Sequence, residues 1–282
     1  MLALVVTVPA NEVELASDAL WALGVAAVEE RAPAGEESSS TEDHFVELWT
    51  SIGDDLDAVS RAVTKAAEGF PARWRWRTIE LDPAIVESWR EHAVPTWVER
   101  DFVVVPSWIT SDVGPAALRI DIDPGASFGL GDHATTVLAL RLLRATWWPG
   151  ATVLDVGCGS GVLAVVAARL GAPYVAAIDI SEGAVEATIA NAERNDVAGV
   201  IDASTRPLDD IDETFDIVLA NLLAPVVVDL ASHLRRVVAP SGALVVSGVL
   251  AAAHDHVVEA LSPMHIVETV TKDGWAALRA RH

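Results

Sequence analysis

Val153-Leu-Asp-Val-Gly-Cys-Gly-Ser-Gly161, followed further along by Ile178-Asp179, decides how this chain folds. An apolar strand runs into a glycine-rich turn, an apolar helix follows from Val162 to Leu170, and a second apolar strand ends on an acid. That order is the first half of a nucleotide-binding parallel sheet. A Cβ on Gly157 or Gly159 would keep the backbone away from a ligand, which explains glycine there. Asp179 lies 22 residues after Gly157, where its carboxylate can accept hydrogen bonds from ribose hydroxyls.

The turn also separates cofactor classes. Dinucleotide enzymes carry Gly-x-Gly-x-x-Gly, so that a helix N-terminus faces a pyrophosphate. Here the pattern is Gly157-x-Gly159-x-Gly161, with Val162 where a pyrophosphate site would continue. Asp155 precedes the turn, where it would repel a pyrophosphate and suit a cationic amino-acid moiety. This Asp-x-Gly-x-Gly-x-Gly form resembles motif I of S-adenosylmethionine-dependent methyltransferases.

Composition sets the outer bounds. A chain of 282 residues, 51% hydrophobic and 21% charged, is an ordinary globular protein with room for two domains. No basic N-terminal segment precedes an apolar run, so no signal peptide is expected. The most apolar tract, 162–178, is broken by Arg169, Gly171 and Pro173 and does not read as a membrane span. A single cysteine, Cys158, excludes an internal disulfide and fits a reducing cytoplasm; it reads as a small residue in the turn rather than a nucleophile. The net charge of −22 disfavours nonspecific nucleic-acid binding. Residues 1–72 hold fourteen acids and three bases, which points either to solvation or to steering of a basic protein partner.

Residues 1–81 read as a small βαββαβ domain, the split βαβ or ferredoxin-like arrangement. Its strands are expected at Leu2 to Val8, Val25 to Glu29, Phe45 to Ser51 and around Trp74, Trp76 and Thr78. Asn11 and Glu14 form a capping-box pattern for a helix carrying Val13, Ala16, Leu20 and Leu23 on one face, ended by Gly24. Ala32 to Asp43 reads as a loop, and Leu56, Val59, Val63 and Ala66 mark a second helix. Residues 82–110, with Trp89, Trp97 and Trp108 but no clean periodicity, read as a linker. From 111 to 282 the chain reads as a doubly wound α/β domain. Leu118, Ile120 and Ile122 open it, and an irregular segment leads to a helix started by Thr135 or Thr136. Further β–α units follow motif I, and a hairpin over Met264 to Thr271 and Trp275 to Arg279 closes an antiparallel edge.

Three segments together narrow the resemblance. They are Asp123-Pro-Gly-Ala-Ser-Phe-Gly-Leu-Gly-Asp-His-Ala-Thr-Thr136, motif I with Asp179, and Phe215-Asp-Ile-Val-Leu-Ala-Asn-Leu-Leu-Ala224. The set resembles the ribosomal protein methyltransferase A family (PrmA), and Ser247-Gly-Val-Leu250 and Pro106-Ser-Trp108 are similar to it as well. The resemblance covers essentially the whole chain. It implies a ferredoxin-like substrate-recognition domain, a linker, and a class I Rossmann-like domain that methylates lysine side chains, and possibly the α-amine, of large-subunit ribosomal protein L11.

Carried over by position, the resemblance places S-adenosylmethionine contacts on Thr136, Gly157, Gly159, Asp179 and Asn221, with Phe128 and His133 as further loop contacts. Thr136 near a helix start can meet the methionine carboxylate, and Asn221 at the carboxyl end of a strand can position the methionine end and the entering amine. His133 reads as a loop-structuring residue in preference to a proton relay. The chain departs from the family at Leu130 and Ala134, where threonine and proline are usual, and at Asp132. These departures bear on substrate identity more than on methyl transfer. His254 and His256 lie on different helix faces with no cluster around them, so no metal is expected. A monomer is expected, with no membrane and no direct nucleic-acid contact. The rival readings are a methyltransferase acting on another protein lysine, such as that of the electron-transfer flavoprotein β-subunit, a nicotinamide oxidoreductase, and a noncatalytic cofactor-binding module.

Overall fold

The computed structural model describes residues 2–21, 29–31, 45–53, 70–80, 93–114, 116–124 and 131–282. Packing divides the chain into two compact units, Met1–Ala93 and Val94–His282.

In the first unit, β1 (Leu2–Pro9), β2 (Glu29–Arg31), β3 (Phe45–Gly53) and β4 (Arg75–Glu80) form an antiparallel sheet in the order β2-β3-β1-β4. That order, with β1 central, is the split βαβ sheet expected from the sequence. Leu4, Val6 and Val8 share one face of β1 and pack with Leu48, Trp74 and helix α1 (Val13–Trp21), which contributes Ala16 and Leu20. A single 3-10 turn, Ala10–Glu12, precedes the helix. Trp74 lies just before β4, buried, with its indole N–H donated to Glu12 at 2.8 Å. On the other face Arg77 reaches Glu47 at 2.9 Å. The expected helix over 56–66, the loop 32–43, most of the expected second strand, and the helix stop at Leu23 and Gly24 lie outside the described residues.

The second unit begins with β5 (Thr96–Glu99), β6 (Phe102–Pro106) and β7 (Leu118–Ile122), a three-stranded sheet in that order, antiparallel between β5 and β6 and parallel between β6 and β7. Two of these strands fall in the segment read as a linker. All five residues of Phe102-Val-Val-Val-Pro106 are buried. An apolar run without alternation suits a strand flanked on both sides.

The larger sheet holds β8 (Val153–Val156), β9 (Val175–Ile178), β10 (Ile201–Ser204), β11 (Phe215–Asn221), β12 (Val238–Leu250), β13 (His265–Lys272) and β14 (Trp275–Arg281), ordered β10-β9-β8-β11-β12-β14-β13. The first five are parallel and the closing hairpin β13–β14 is antiparallel. Side chains alternate between two cores. Val153, Val175, Ala177, Ile217 and Leu219 face one, while Leu154, Ala176, Val218 and Leu244 face the other. Helices α2 (Ala134–Thr146), α3 (Val162–Arg169) and α4 (Glu182–Arg194) precede α5 (Ala224–Arg236) and α6 (Asp255–Ala260). In α5, Pro225 sits in the first turn, where its missing N–H costs nothing, and Val227, Ala231 and Leu234 form the buried stripe. Strand order reverses between β8 and β11, so the carboxyl ends of β8, β9 and β11 surround the switch point where open α/β sheets bind ligands.

Candidate cofactor and amine site

The turn from β8 into α3 has Gly157, Gly159 and Gly161 all at positive φ. On one side it meets Asp179, just past the end of β9. One carboxylate oxygen of Asp179 accepts the Gly159 N–H at 3.0 Å, and the other accepts the Ser181 N–H at 3.0 Å. Each carboxylate oxygen has a further lone pair, so the group can hold the turn and still receive hydroxyls. Ile180, the next residue, is 94% exposed. An apolar side chain on the surface beside a half-buried carboxylate suits a nucleoside, with a flat base against the one and a diol on the other. Ile180 has a signal in the sequence, an isoleucine directly after a strand-end acid, that the motif pattern alone does not use.

Asp155 lies behind the turn and is fully buried. One of its oxygens accepts the Ala164 N–H at 3.1 Å, in the first turn of α3, while Oδ1 has no hydrogen-bond partner. The helix N-terminus that a pyrophosphate would need is therefore already occupied by a carboxyl group. Burial pushes the Asp155 carboxyl up to about 7, against the favourable Ala164 N–H, and the Asp179 charge pushes the same way. The same surroundings push the buried Cys158 thiol up, with burial the largest cause and Asp155 next, so it is an inert small residue of the turn.

The folded-state value for Asp155 exceeds the unfolded one of about 3.9, so the folded chain holds a proton that the unfolded chain has lost. That contribution to stability is complete below the unfolded value and is lost as pH rises through about 7. Asp155→Asn is therefore expected to unfold at a higher temperature than the unsubstituted chain at pH 8. The gap should narrow steadily on acidification toward pH 5. Thermal unfolding across that range is the measurement, and parallel profiles for the two proteins would contradict it.

On the other side of the turn, α2 starts at Ala134 rather than at Thr135 or Thr136, and His133 is its N-cap. His133 Nδ1 accepts the Thr135 N–H at 3.4 Å and lies 2.8 Å from the Thr135 hydroxyl. A ring nitrogen thus does what a cap oxygen ordinarily does, which a search for Ser, Thr, Asp or Asn passes over. The ring sits edge-on to Trp275, and burial holds its pKa below the usual histidine value. These contacts fit the structural role expected for His133.

Two of the expected site residues meet directly. The Asn221 side-chain amide, at the end of β11, donates to the hydroxyl of the buried Thr136 at 3.4 Å. Ser247 supports both partners: its hydroxyl donates to the Thr135 carbonyl at 2.8 Å, and its own carbonyl accepts the Leu222 N–H at 3.0 Å. Thr136 and Asn221 thus form one side of the switch point, and Gly157, Gly159 and Asp179 the other. Phe128 and Leu130 lie outside the described residues. Ser247 is not among the residues expected at the site from sequence, nor are Thr188, Asn191 and Asn195 of the α4 region, all buried. Their signal was the spacing: three polar residues on one face of an alanine-rich helix.

The sequence profile of the ribosomal protein L11 methyltransferase family (PrmA) matches residues 2–282. The chain belongs to that family. The ribosomal protein L11 methyltransferase of Symbiobacterium thermophilum is 41% identical over 213 residues, covering 74% of this chain and 68% of the relative. That of Pelotomaculum thermopropionicum is 42% identical over 197 residues, covering 69% of this chain and 64% of the relative. The matched stretches thus span about two thirds of those proteins' own length. A crystal structure of the ribosomal protein L11 methylase of Lactobacillus delbrueckii subsp. bulgaricus aligns with TM-score 0.62 and 31% identity, covering 67% of this chain and 99% of the other. The fold is that of class I S-adenosylmethionine-dependent methyltransferases, and the residues at the switch point fit that cofactor. The half-buried Asp179 carboxylate beside the exposed Ile180 suits a ribose, and the Asp155 carboxyl already takes the helix N-terminus that a phosphate would need. Among the described residues no group of histidine, cysteine and carboxylate side chains is placed to hold a metal ion, and no helix is long and apolar enough to cross a membrane.

Proposed function

We propose that this chain methylates amine nitrogens of ribosomal protein L11, on lysine side chains and the α-amine, using S-adenosylmethionine. The observation that carries the reading is the Asn221–Thr136 contact at the switch point, opposite the turn held by Asp179. When bound, S-adenosylmethionine supplies a methyl group on a positive sulfonium, open to in-line attack by a neutral amine. Asp179 would receive the ribose hydroxyls, and the glycine turn it holds would bring the end of β8 near the ligand. Thr136 and the first-turn amides of α2 would hold the methionine carboxylate. With its amide N–H given to Thr136, Asn221 offers Oδ1 to an N–H of the entering amine and so aims the nitrogen lone pair.

No side chain here need act as a strong base. Making a lysine neutral at pH 7 costs about 4.6 kcal/mol in water. Desolvation in the site and a neighbouring positive charge both lower that cost. Positioning can contribute about 7–11 kcal/mol toward the barrier. The acidic excess over residues 1–72 would steer a basic protein toward the first unit. The enzyme works as a monomer in the cytoplasm and needs neither metal nor nucleic acid.

Intact-mass spectrometry of L11 from the same source, incubated with this protein and S-adenosylmethionine, tests the proposal. L11 is expected to gain one CH2 of mass per transfer, and Asn221→Ala is expected to slow the gain by about a hundredfold or more. An unchanged L11 mass, with cofactor binding intact, would overturn the substrate assignment and turn attention to other protein lysines.

A further inference from the structure

Thr188 and Asn191 on α4, and Asn195 just beyond it, turn buried polar side chains toward β7 and the glycine turn. The Asn195 amide accepts the Asp121 N–H at 2.9 Å and donates to the Asp121 carbonyl at 2.7 Å. The Asn191 amide does the same with Asp123, at 2.9 and 2.8 Å. β7 is an edge strand, and its outward N–H and C=O groups recur every second residue, about 6.6–6.8 Å apart. Four residues of helix rise about 6 Å. Two asparagines four apart therefore match the strand's edge and complete its ladder with side chains.

The two differ in their remaining bonds, and Asn191 Oδ1 also accepts from the Arg194 guanidinium. Asn195 spends its second N–H on the Asn191 carbonyl of the same helix, at 2.8 Å. Asn191 instead donates to the Ser160 carbonyl inside the glycine turn, at 2.8 Å. Thr188, one turn earlier, donates to the Gly159 carbonyl at 3.2 Å. Gly161 lies so close to the helix that an added Cβ would come within 2.9 Å of the Thr188 Cα. Asp123 lies just past the end of β7, so Asn191 bonds simultaneously to that strand end and to the glycine turn.

We infer that Asn191 is a positioning residue for the cofactor: it fixes the glycine turn relative to the strand end at Asp123. Asn195 only closes the edge of β7. The inference rests on the proposed S-adenosylmethionine site. Asn191→Asp and Asn195→Asp each replace two donors with a carboxylate oxygen facing two carbonyls, so both lower the unfolding temperature. Only Asn191→Asp changes cofactor binding. Calorimetric titration with S-adenosylhomocysteine should show about tenfold weaker binding for Asn191→Asp, and less than about threefold for Asn195→Asp. In turnover with L11 the loss should appear in KM for S-adenosylmethionine, with kcat at saturation nearly kept.

If either aspartate variant fails to fold, Asn191→Ala and Asn195→Ala, titrated below their unfolding midpoints, are expected to show the same contrast. Equal losses in both positions, or unchanged binding in the Asn191 variants, would overturn the inference while leaving the cofactor reading in place. No binding by the unsubstituted chain would overturn both.

Discussion

Asp179→Ala is expected to weaken S-adenosylhomocysteine binding by at least about a hundredfold, which corresponds to about 2.7 kcal/mol. The carboxylate has two functions, and the substitution removes both. Toward the ligand it would accept two ribose hydroxyls, and hydrogen bonds to a charged acceptor contribute about 1.5–3 kcal/mol each. Toward the protein it receives the Gly159 and Ser181 N–H groups, each at 3.0 Å, and so ties the glycine turn to the end of β9. Because Asp179 is only half-buried, water can replace the protein contacts, and the unfolding temperature should fall little. Asp179→Asn keeps one acceptor oxygen and should fall between, near tenfold weaker. Calorimetric titration of the three proteins separates these expectations. Binding by Asp179→Ala within about threefold of the unsubstituted chain would remove Asp179 from the site.

Much of this site was legible because its signals are local. Three glycines within five residues, an acid before them and an acid ending the next strand require no knowledge of distant contacts. The alternating apolar pattern of β–α units carried the sheet, including the antiparallel hairpin at its edge. What stayed hidden was non-local or used an uncommon group. The ladder between Asn191, Asn195 and β7 joins residues about seventy positions apart, and the spacing of polar residues on α4 does not say which strand they meet. His133 caps α2 with a ring nitrogen, so the start of that helix was read one or two residues late. β6 lacks the alternation of a half-buried strand because neighbours cover it on both sides, and the tryptophans and prolines around it suggested a linker. Asp155 showed its charge in the sequence but not its burial. An acid before a glycine turn reads as a ligand contact, whereas the structure places it behind the turn with one oxygen unpaired.

Gly248→Ala should cost about 3 kcal/mol or more of stability, from two additive sources. Gly248 has φ +89, a backbone conformation unfavourable to any residue with a side chain. Its missing Cβ would also stand 2.3 Å from the Leu222 carbonyl oxygen, 2.8 Å from the carbonyl carbon and 3.2 Å from the nitrogen. These are backbone atoms of the residue after Asn221, so no rotamer change relieves the collision. Leu222 has little room to retreat, because its side chain already fills the space over Gly157, where a Cβ would lie 2.4 Å from Cδ2. Its N–H is also held by the Ser247 carbonyl. The displaced backbone would carry Asn221 away from Thr136, so methyl transfer should fall with stability.

Gly171→Ala separates strain from collision, since Gly171 has φ +103 but no atom within 4 Å of an added Cβ. That variant should lose only about 1–2 kcal/mol and keep its activity. For a unit of this size each kcal/mol lowers the unfolding midpoint by about 2–4 °C, so thermal unfolding can distinguish the two. Should Gly248→Ala prove no less stable and no less active than Gly171→Ala, the close packing of Leu222 between Gly157 and Gly248 would not be what holds Asn221 in place.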